Sequence, residues 1–208
     1  MIHVFEGFET PGDHPLLDEM HRDRKRVFVD LLKWHVPVID GQFEADQFDG
    51  TDAVYLVAAG ADGRHHGSIR LLPTQGPHLL GSVFPELCEE AVPSGPDIYE
   101  ISRGCLSPRL RAAERLRVRN QLTTAAVEFA LRNEIAAYSC IAEAGWFSQI
   151  LSLGWRCMPL GIPQIIGSAL TGALRIDISS QTLAMLQDAG TYAETGMVQS
   201  HAPAVVAA

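Results

Sequence analysis

Residues 98–142 read IYEISRGCLSPRLRAAERLRVRNQLTTAAVEFALRNEIAAYSCIA, and this stretch decides the architecture. Ile98 to Arg103 follows the two-residue period of a strand. From Ala112 to Arg132 the period changes, because Val118, Leu122, Ala125, Ala126 and Phe129 fall three and four residues apart. That spacing predicts a long amphipathic helix. Ala136 to Ala142 is then a short apolar run, the mark of a strand covered on both faces. Strand, helix and strand in this order form a crossover between parallel strands, so the fold class is α/β.

Working outward, Ile2 to Glu6 alternates apolar and polar, Pro15 can open a helix running to about Leu32, and Ala53 to Ala59 is β-rich. The turn-like ADGRHHG leads into a strand from Gly67 to Leu72, which predicts an antiparallel hairpin, and a short helix is expected near Phe84 to Ala91. After residue 142 come a helix from Phe147 to Leu153 closed by Gly154, a strand from Trp155 to Leu160, and another from Leu174 to Ile178. A last helix, capped by Ser179 or Ser180, runs to about Ala189. Hairpins first and crossovers later predict a mixed sheet with helices on both faces.

The chain has 208 residues, 47% hydrophobic and 20% charged, enough to bury a core without disulfides or metal. One domain is expected over residues 1–192, with 193–208 as a flexible tail. The net charge of −9 disfavours non-specific attraction to nucleic acid or to anionic membrane. Cys88, Cys105, Cys140 and Cys157 form no C-x-x-C pair, and the histidines show no metal-ligand spacing, so free thiols and no metal are expected. The first residues lack a basic, apolar leader, and nowhere do 18 apolar residues run consecutively, which predicts a cytoplasmic protein.

Four polar groups interrupt this regular pattern. Arg24 and Phe28 lie four apart on one helical face, with Trp34 ending the segment; a solvated arginine and core aromatics give the same spacing. Asp46 and Asp49 flank Phe48 in a glycine-bounded loop, where carboxylates also serve as turn formers. Arg70 sits inside a strand, facing either solvent or a cleft that needs a cation. In IYEISR the strand period puts Ile98, Glu100 and Ser102 on one face, with Tyr99, Ile101 and Arg103 on the other. An acid in so apolar a strand needs a charge partner or a shifted pKa if it is buried.

Together these residues resemble the signature of the acyl-homoserine-lactone synthases, the autoinducer synthases of bacterial quorum sensing. The family pattern of R-x-x-x-F, W, D-x-x-D, a strand R and E-x-x-R is met in order by Arg24, Phe28, Trp34, Asp46, Asp49, Arg70, Glu100 and Arg103. Gly154 with Trp155 is similar to its later GW, and the resemblance spans about residues 2–180. It implies an acyltransferase fold like that of the N-acetyltransferases, a splayed mixed sheet in three layers. It also implies the reaction: S-adenosylmethionine, a substrate and not a cofactor, and a fatty acyl thioester are joined into an N-acyl-homoserine lactone with release of 5′-methylthioadenosine.

On that resemblance Glu100 is the candidate base and Arg103 the group that stabilises or positions the thioester. Arg24, Phe28, Trp34, Asp46, Asp49 and Arg70 are the candidates for binding S-adenosylmethionine or for ordering the N-terminal segment around it. By family position Ser102 and the strand Tyr138 to Ala142, with Cys140 and Ala142 foremost, line the acyl-chain slot, and Trp146 shortens or redirects it. The glycine-rich pyrophosphate loop of acetyl-CoA enzymes is absent from RLRAAERLRVRNQL. Residues 103–119 instead carry Arg103, Arg109, Arg111, Arg115, Arg117 and Arg119 against the single acid Glu114. The last five suit an acidic acyl carrier protein more than coenzyme A, although a solvated helix face reads the same way. Two rivals remain open on sequence: an acetyl-CoA-dependent N-acetyltransferase acting on another amine, and a silent acyl-thioester-binding module.

Overall fold

A computed structural model of the chain describes residues 1–7 and 14–200. In chain order the elements begin with β1 (Ile2–Glu6), α1 (Pro15–Arg24), a π-helical run (Lys25–Leu31), β2 (Val38–Ile39), β3 (Phe43–Glu44), β4 (Val54–Ala59) and β5 (His65–Pro73). There follow α2 (Leu79–Ser82), a 3-10 turn (Pro85–Leu87), β6 (Ile98–Leu106), α3 (Ala112–Arg132), β7 (Ala137–Glu143) and α4 (Ala144–Leu151). The chain continues through β8 (Arg156–Pro159), β9 (Gln164–Ile166), β10 (Ala169–Asp177), α5 (Thr182–Asp188) and β11 (Val198–Ser200). The architecture is the expected mixed α/β arrangement. No described helix is long and apolar enough to cross a membrane.

The chain divides into two compact units, Met1–Arg70 with Arg103–Leu122 and Glu194–Ala208, and Leu71–Ser102 with Thr123–Ala193. In the first unit β1 pairs antiparallel with β4 and parallel with β11. Ile2, Val4, Phe5, Tyr55, Leu56 and Val57 on these strands are buried. Pro15 does open α1, and His14 caps it by accepting the Leu16 N–H at 3.1 Å. The expected helix reaches Leu31 only by widening into the π-helical run, whose end is marked by the Trp34 N–H donating to the Phe28 carbonyl at 2.8 Å. Such wide turns recur at functional sites. Gly67 is needed for close packing, since a Cβ there would lie 2.8 Å from Val118 Cγ1 and 2.9 Å from Leu106 Cδ2.

In the second unit β7 pairs antiparallel with β10, from Ala137↔Asp177 to Glu143↔Thr171, and β10 also carries β8 and β9. β6 and β7 run parallel, with Ile98–Ile101 opposite Ala137–Cys140, as the crossover reading requires. Tyr138 donates its hydroxyl to the Ala126 carbonyl of α3 at 2.9 Å, tying strand to helix. Leu80, Leu87 and Ala173 form a core with Phe84, Cys88, Ile141, Leu160 and Ile166 packed against it. Gly154 follows α4 at φ +103, the left-handed conformation that closes a helix at low cost in glycine.

Two expectations are corrected. The short helix placed near Phe84 to Ala91 is instead α2, earlier in the chain, followed by a 3-10 turn that Pro85 opens. Val198–Ser200, assigned to the tail, forms β11, and Ser200 Oγ bonds His3 Nδ1 at 2.9 Å. Residues 201–208 of that tail lie outside the described residues.

Candidate active site

Six charged side chains converge in the first unit: Arg24 from α1, Glu44 from β3, Asp46 and Asp49 from the loop after it, Arg70 from β5 and Arg103 from β6. Arg24 donates Nε to Glu44 Oε2 at 2.5 Å and clamps Asp49 with Nη1 and Nη2 at 2.9 and 2.8 Å. Arg70 Nη1 reaches Asp46 Oδ1 at 2.6 Å and Asp49 Oδ2 at 3.0 Å. Arg103 Nε meets Glu44 Oε1 at 2.9 Å, and its Nη2 meets Asp46 Oδ2 at 2.5 Å. Tyr55 adds its hydroxyl to Asp49 Oδ1 at 2.8 Å.

Three cations therefore face three anions, all buried or nearly so. A buried ion survives only when paired and hydrogen-bonded, and here every member has at least two charged contacts. Burial opposes ionisation of Asp49, but the Arg24 and Arg70 guanidiniums outweigh it and hold the carboxyl well below its usual range. Burial likewise opposes the charge on Arg24, and Asp49 and Glu44 outweigh it, keeping that guanidinium firmly protonated. His21, buried beside this group with Nδ1 at 2.7 Å from the Glu44 carbonyl, is pushed down to about 4 by burial and by Arg24.

The local backbone explains the convergence. Asp46 Oδ1 accepts the Phe48 N–H at 2.9 Å and Asp49 Oδ2 accepts the Asp46 N–H at 2.8 Å, so the loop carboxylates are turn formers and ion partners at once. Arg103 adopts φ +51, a left-handed conformation unusual for a side-chain-bearing residue. It interrupts the pleat of β6, so the face of Arg103 does not follow from that of Tyr99 and Ile101. The π-helical run brings Phe28 and Trp34 into a stack, with centroids 4.7 Å apart and planes at 6°. Arg103 Cζ lies 5.8 Å from the Phe28 ring centre.

Glu100 belongs to the second unit and is fully buried. Its two oxygens accept the Leu79 and Leu80 N–H groups of α2 at 2.9 and 2.6 Å. The register sets Glu100 opposite Ser139 and Ile101 opposite Cys140. Ser102 therefore shares the face of Glu100 and Ser139, whereas Cys140 and Ala142 share the opposite face with Tyr138. The expectation that Ser102 and Cys140 line one slot is corrected by this alternation. Burial pushes the Cys140 thiol far above its ordinary value. Ser139 is a buried side chain on the Glu100 face, and its Oγ has no hydrogen-bond partner among the described residues. Trp146, on α4, is 37% exposed.

The basic run before and within α3 is only partly open. Arg109 is spoken for: it clamps Asp23 with two bonds of 3.0 Å and reaches the His65 carbonyl at 3.0 Å. Arg115 donates to the Ser107 carbonyl at 3.2 Å and Arg119 to Asn120 Oδ1 at 3.0 Å, which leaves Arg111 and Arg117 exposed. Four residues escaped the sequence reading. Glu44 stands two positions before Asp46, which on extended chain shares its face, and that was its signal. Tyr55 carried none beyond its place in a buried strand. Asp23 and His65 form a second buried pair at 2.8 Å, and the pair HH gave no sign of it.

The sequence pattern of the family described as autoinducer synthase matches residues 11–186 of this chain. An isovaleryl-homoserine lactone synthase of Bradyrhizobium diazoefficiens is 35% identical over 191 residues, 90% of this chain and 84% of that protein. Among solved structures, BjaI, a CoA-dependent acyl-homoserine lactone synthase bound to SAM and isopentyl-CoA, superposes with a TM-score of 0.82. It is 33% identical, with 96% of this chain and 93% of that one covered. A Lactobacillus plantarum protein assigned as an N-acetyltransferase, 16% identical with a TM-score of 0.54, covering 86% of this chain and 98% of that one, shares the fold alone. With the ion cluster in place and most of its length matched, the chain belongs to the autoinducer synthase family and is an acyltransferase.

Proposed function

We propose that this enzyme joins S-adenosylmethionine to an acyl thioester, making an N-acyl-homoserine lactone and releasing 5′-methylthioadenosine. The observation that carries the reading is the balanced cluster of Arg24, Glu44, Asp46, Asp49, Arg70 and Arg103, built from the residues that match the family pattern plus one more acid. Because those charges already satisfy one another, the role of Arg24, Glu44, Asp46, Asp49 and Arg70 is to order the N-terminal segment. The Phe28 and Trp34 rings supply the aromatic surface a sulfonium favours.

Two bonds are made. The α-ammonium of S-adenosylmethionine gives up a proton to Glu100, directly or through water, and the free amine attacks the thioester carbonyl. The C–S bond breaks, the nitrogen gives up its second proton to the departing sulfur, and the thiol leaves. The methionyl carboxylate then attacks the γ-carbon, whose bond to the sulfonium breaks, and methylthioadenosine departs with the electron pair. Arg103 is assigned to positioning the thioester or to the developing oxyanion. Ser102 and Ser139 are assigned to the acyl chain; Cys140 and Ala142, facing away, are assigned to packing.

For the donor, the exposed Arg111 and Arg117 support an acidic acyl carrier protein. A second reading, a coenzyme A thioester, is supported by the likeness to CoA-dependent BjaI across 96% of the chain. Incubation of the purified protein with S-adenosylmethionine and matched carrier-protein and coenzyme A thioesters tests both. Lactone and methylthioadenosine should appear by mass spectrometry, and neither from any donor would end the proposal. The ratio of kcat/KM between the two donor types decides between the readings.

A further inference from the structure

α2 is a single turn, and one turn of helix is not stable by itself. Its first two N–H groups are nevertheless the groups that hold both oxygens of Glu100, at 2.9 and 2.6 Å. The orientation of that carboxylate therefore depends on whatever fixes the start of α2. The residue there is His78, extended at φ −145 and ψ 163, and 5% exposed. Its Nδ1–H donates to the Gly76 carbonyl at 2.9 Å, and its own carbonyl accepts the Ser82 N–H at 2.9 Å. The ring lies directly over Gly81, where a Cβ would stand 2.6 Å from Nε2 and Cε1. His78 Nε2 is buried with no hydrogen-bond partner among the described residues.

A buried nitrogen without a partner is destabilising, so packing alone does not favour histidine here over an apolar side chain. What histidine supplies is the Nδ1–H anchor in the turn before α2. We propose that His78 is a positioning residue for Glu100: anchored on Gly76 and seated over Gly81, it fixes the turn that presents the Leu79 and Leu80 amides to the carboxylate. The inference deepens, and rests on, the assignment of Glu100 as base.

Kinetics of His78→Ala, His78→Asn, Gly81→Ala and Glu100→Gln in the full chain test it, with a melting curve for each. His78→Ala should lower kcat about 10- to 100-fold, the range expected of a slightly misplaced reacting group, with KM for both substrates within about threefold of wild type. Gly81→Ala, whose methyl displaces the ring, should do the same. Asparagine can place its amide N–H where Nδ1–H stood, so His78→Asn should recover kcat to within about threefold of wild type. Wild-type turnover in His78→Ala, or a His78→Asn as slow as the alanine variant, overturns the inference. If His78→Ala does not fold, the contrast between an active His78→Asn and a slow Gly81→Ala supports it, and a slow His78→Asn overturns it. Full turnover in Glu100→Gln refutes the base assignment itself, and a slow His78→Ala beside it would show that His78 acts through something else.

Discussion

Replacing Glu44 with Gln removes one charge from a cluster that balances three guanidiniums against three carboxylates. Glu44 gives Oε2 to Arg24 Nε at 2.5 Å and Oε1 to Arg103 Nε at 2.9 Å. Glutamine has one acceptor and one donor at those positions, so one arginine necessarily meets an N–H. A net positive charge is left buried. Coulomb attraction at about 4 Å is on the order of 4 kcal/mol at an effective dielectric of about 20, and breaking a buried pair typically costs about 3–5 kcal/mol. For a chain of this size about 1 kcal/mol moves Tm by about 2–4 °C, so Glu44→Gln should melt about 6–20 °C lower. Circular dichroism melting reads this directly. Because the pair is buried, salt up to about 1 M should not restore the loss, as it would for a surface pair. A second replacement, Arg103→Met, should recover part of it by removing the stranded charge. A Glu44→Gln protein that melts within about 2 °C of wild type would refute the idea that the six charges form one balanced unit.

Three further outcomes are expected. His21 is pushed down to about 4 by burial and by Arg24, so the unfolded chain binds its proton first. Stability from this residue is complete above the unfolded value of about 6.5, falls by about 3 kcal/mol as pH drops to about 4, and His21→Gln should flatten that part of a urea-midpoint profile. Gly67→Ala would set a methyl 2.8 Å from Val118 Cγ1, and urea titration should show a loss of about 1–3 kcal/mol. Exchanging Arg111 and Arg117 together for Glu should lower kcat/KM for a carrier-protein donor, more strongly at low salt, and leave coenzyme A donors unaffected. Equal effects on both donors would refute a docking role for these two side chains.

The long-range order of the fold was legible because its signals are periodic. Ala112 to Arg132 was read to the residue as α3, and the crossover from β6 to β7 followed from the change of period. The failures lie where tertiary contacts override local preference. β11 is three residues in a polar stretch and exists because β1 offers it an edge. α2 exists because Glu100 satisfies its N–H groups, contacts between residues 20 and 21 apart. In the site, Arg24, Asp46, Asp49, Arg70 and Arg103 were each found, and the resemblance implied that such residues pair with one another; which acid meets which arginine was not legible, since partner choice among buried charges is set by packing. Glu44 was missed because its one signal, the two-residue step to Asp46, is also met by acids on any solvated edge. Cys140 was assigned to the acyl slot by the family resemblance, and only the register with β6 shows that Ser139 lies on the Glu100 side and Cys140 does not.

The seating of Val198–Ser200 on β1 has a bearing on how the protein can be shortened. Cutting near residue 192, where composition turns polar, would strip β1 of its parallel neighbour and bare a row of N–H and C=O groups beside Ile2, Val4 and Phe5. Open rims of that kind recruit strands from other molecules. A trimmed version should thus self-associate in a concentration-dependent way, while one that keeps Ser200 should not.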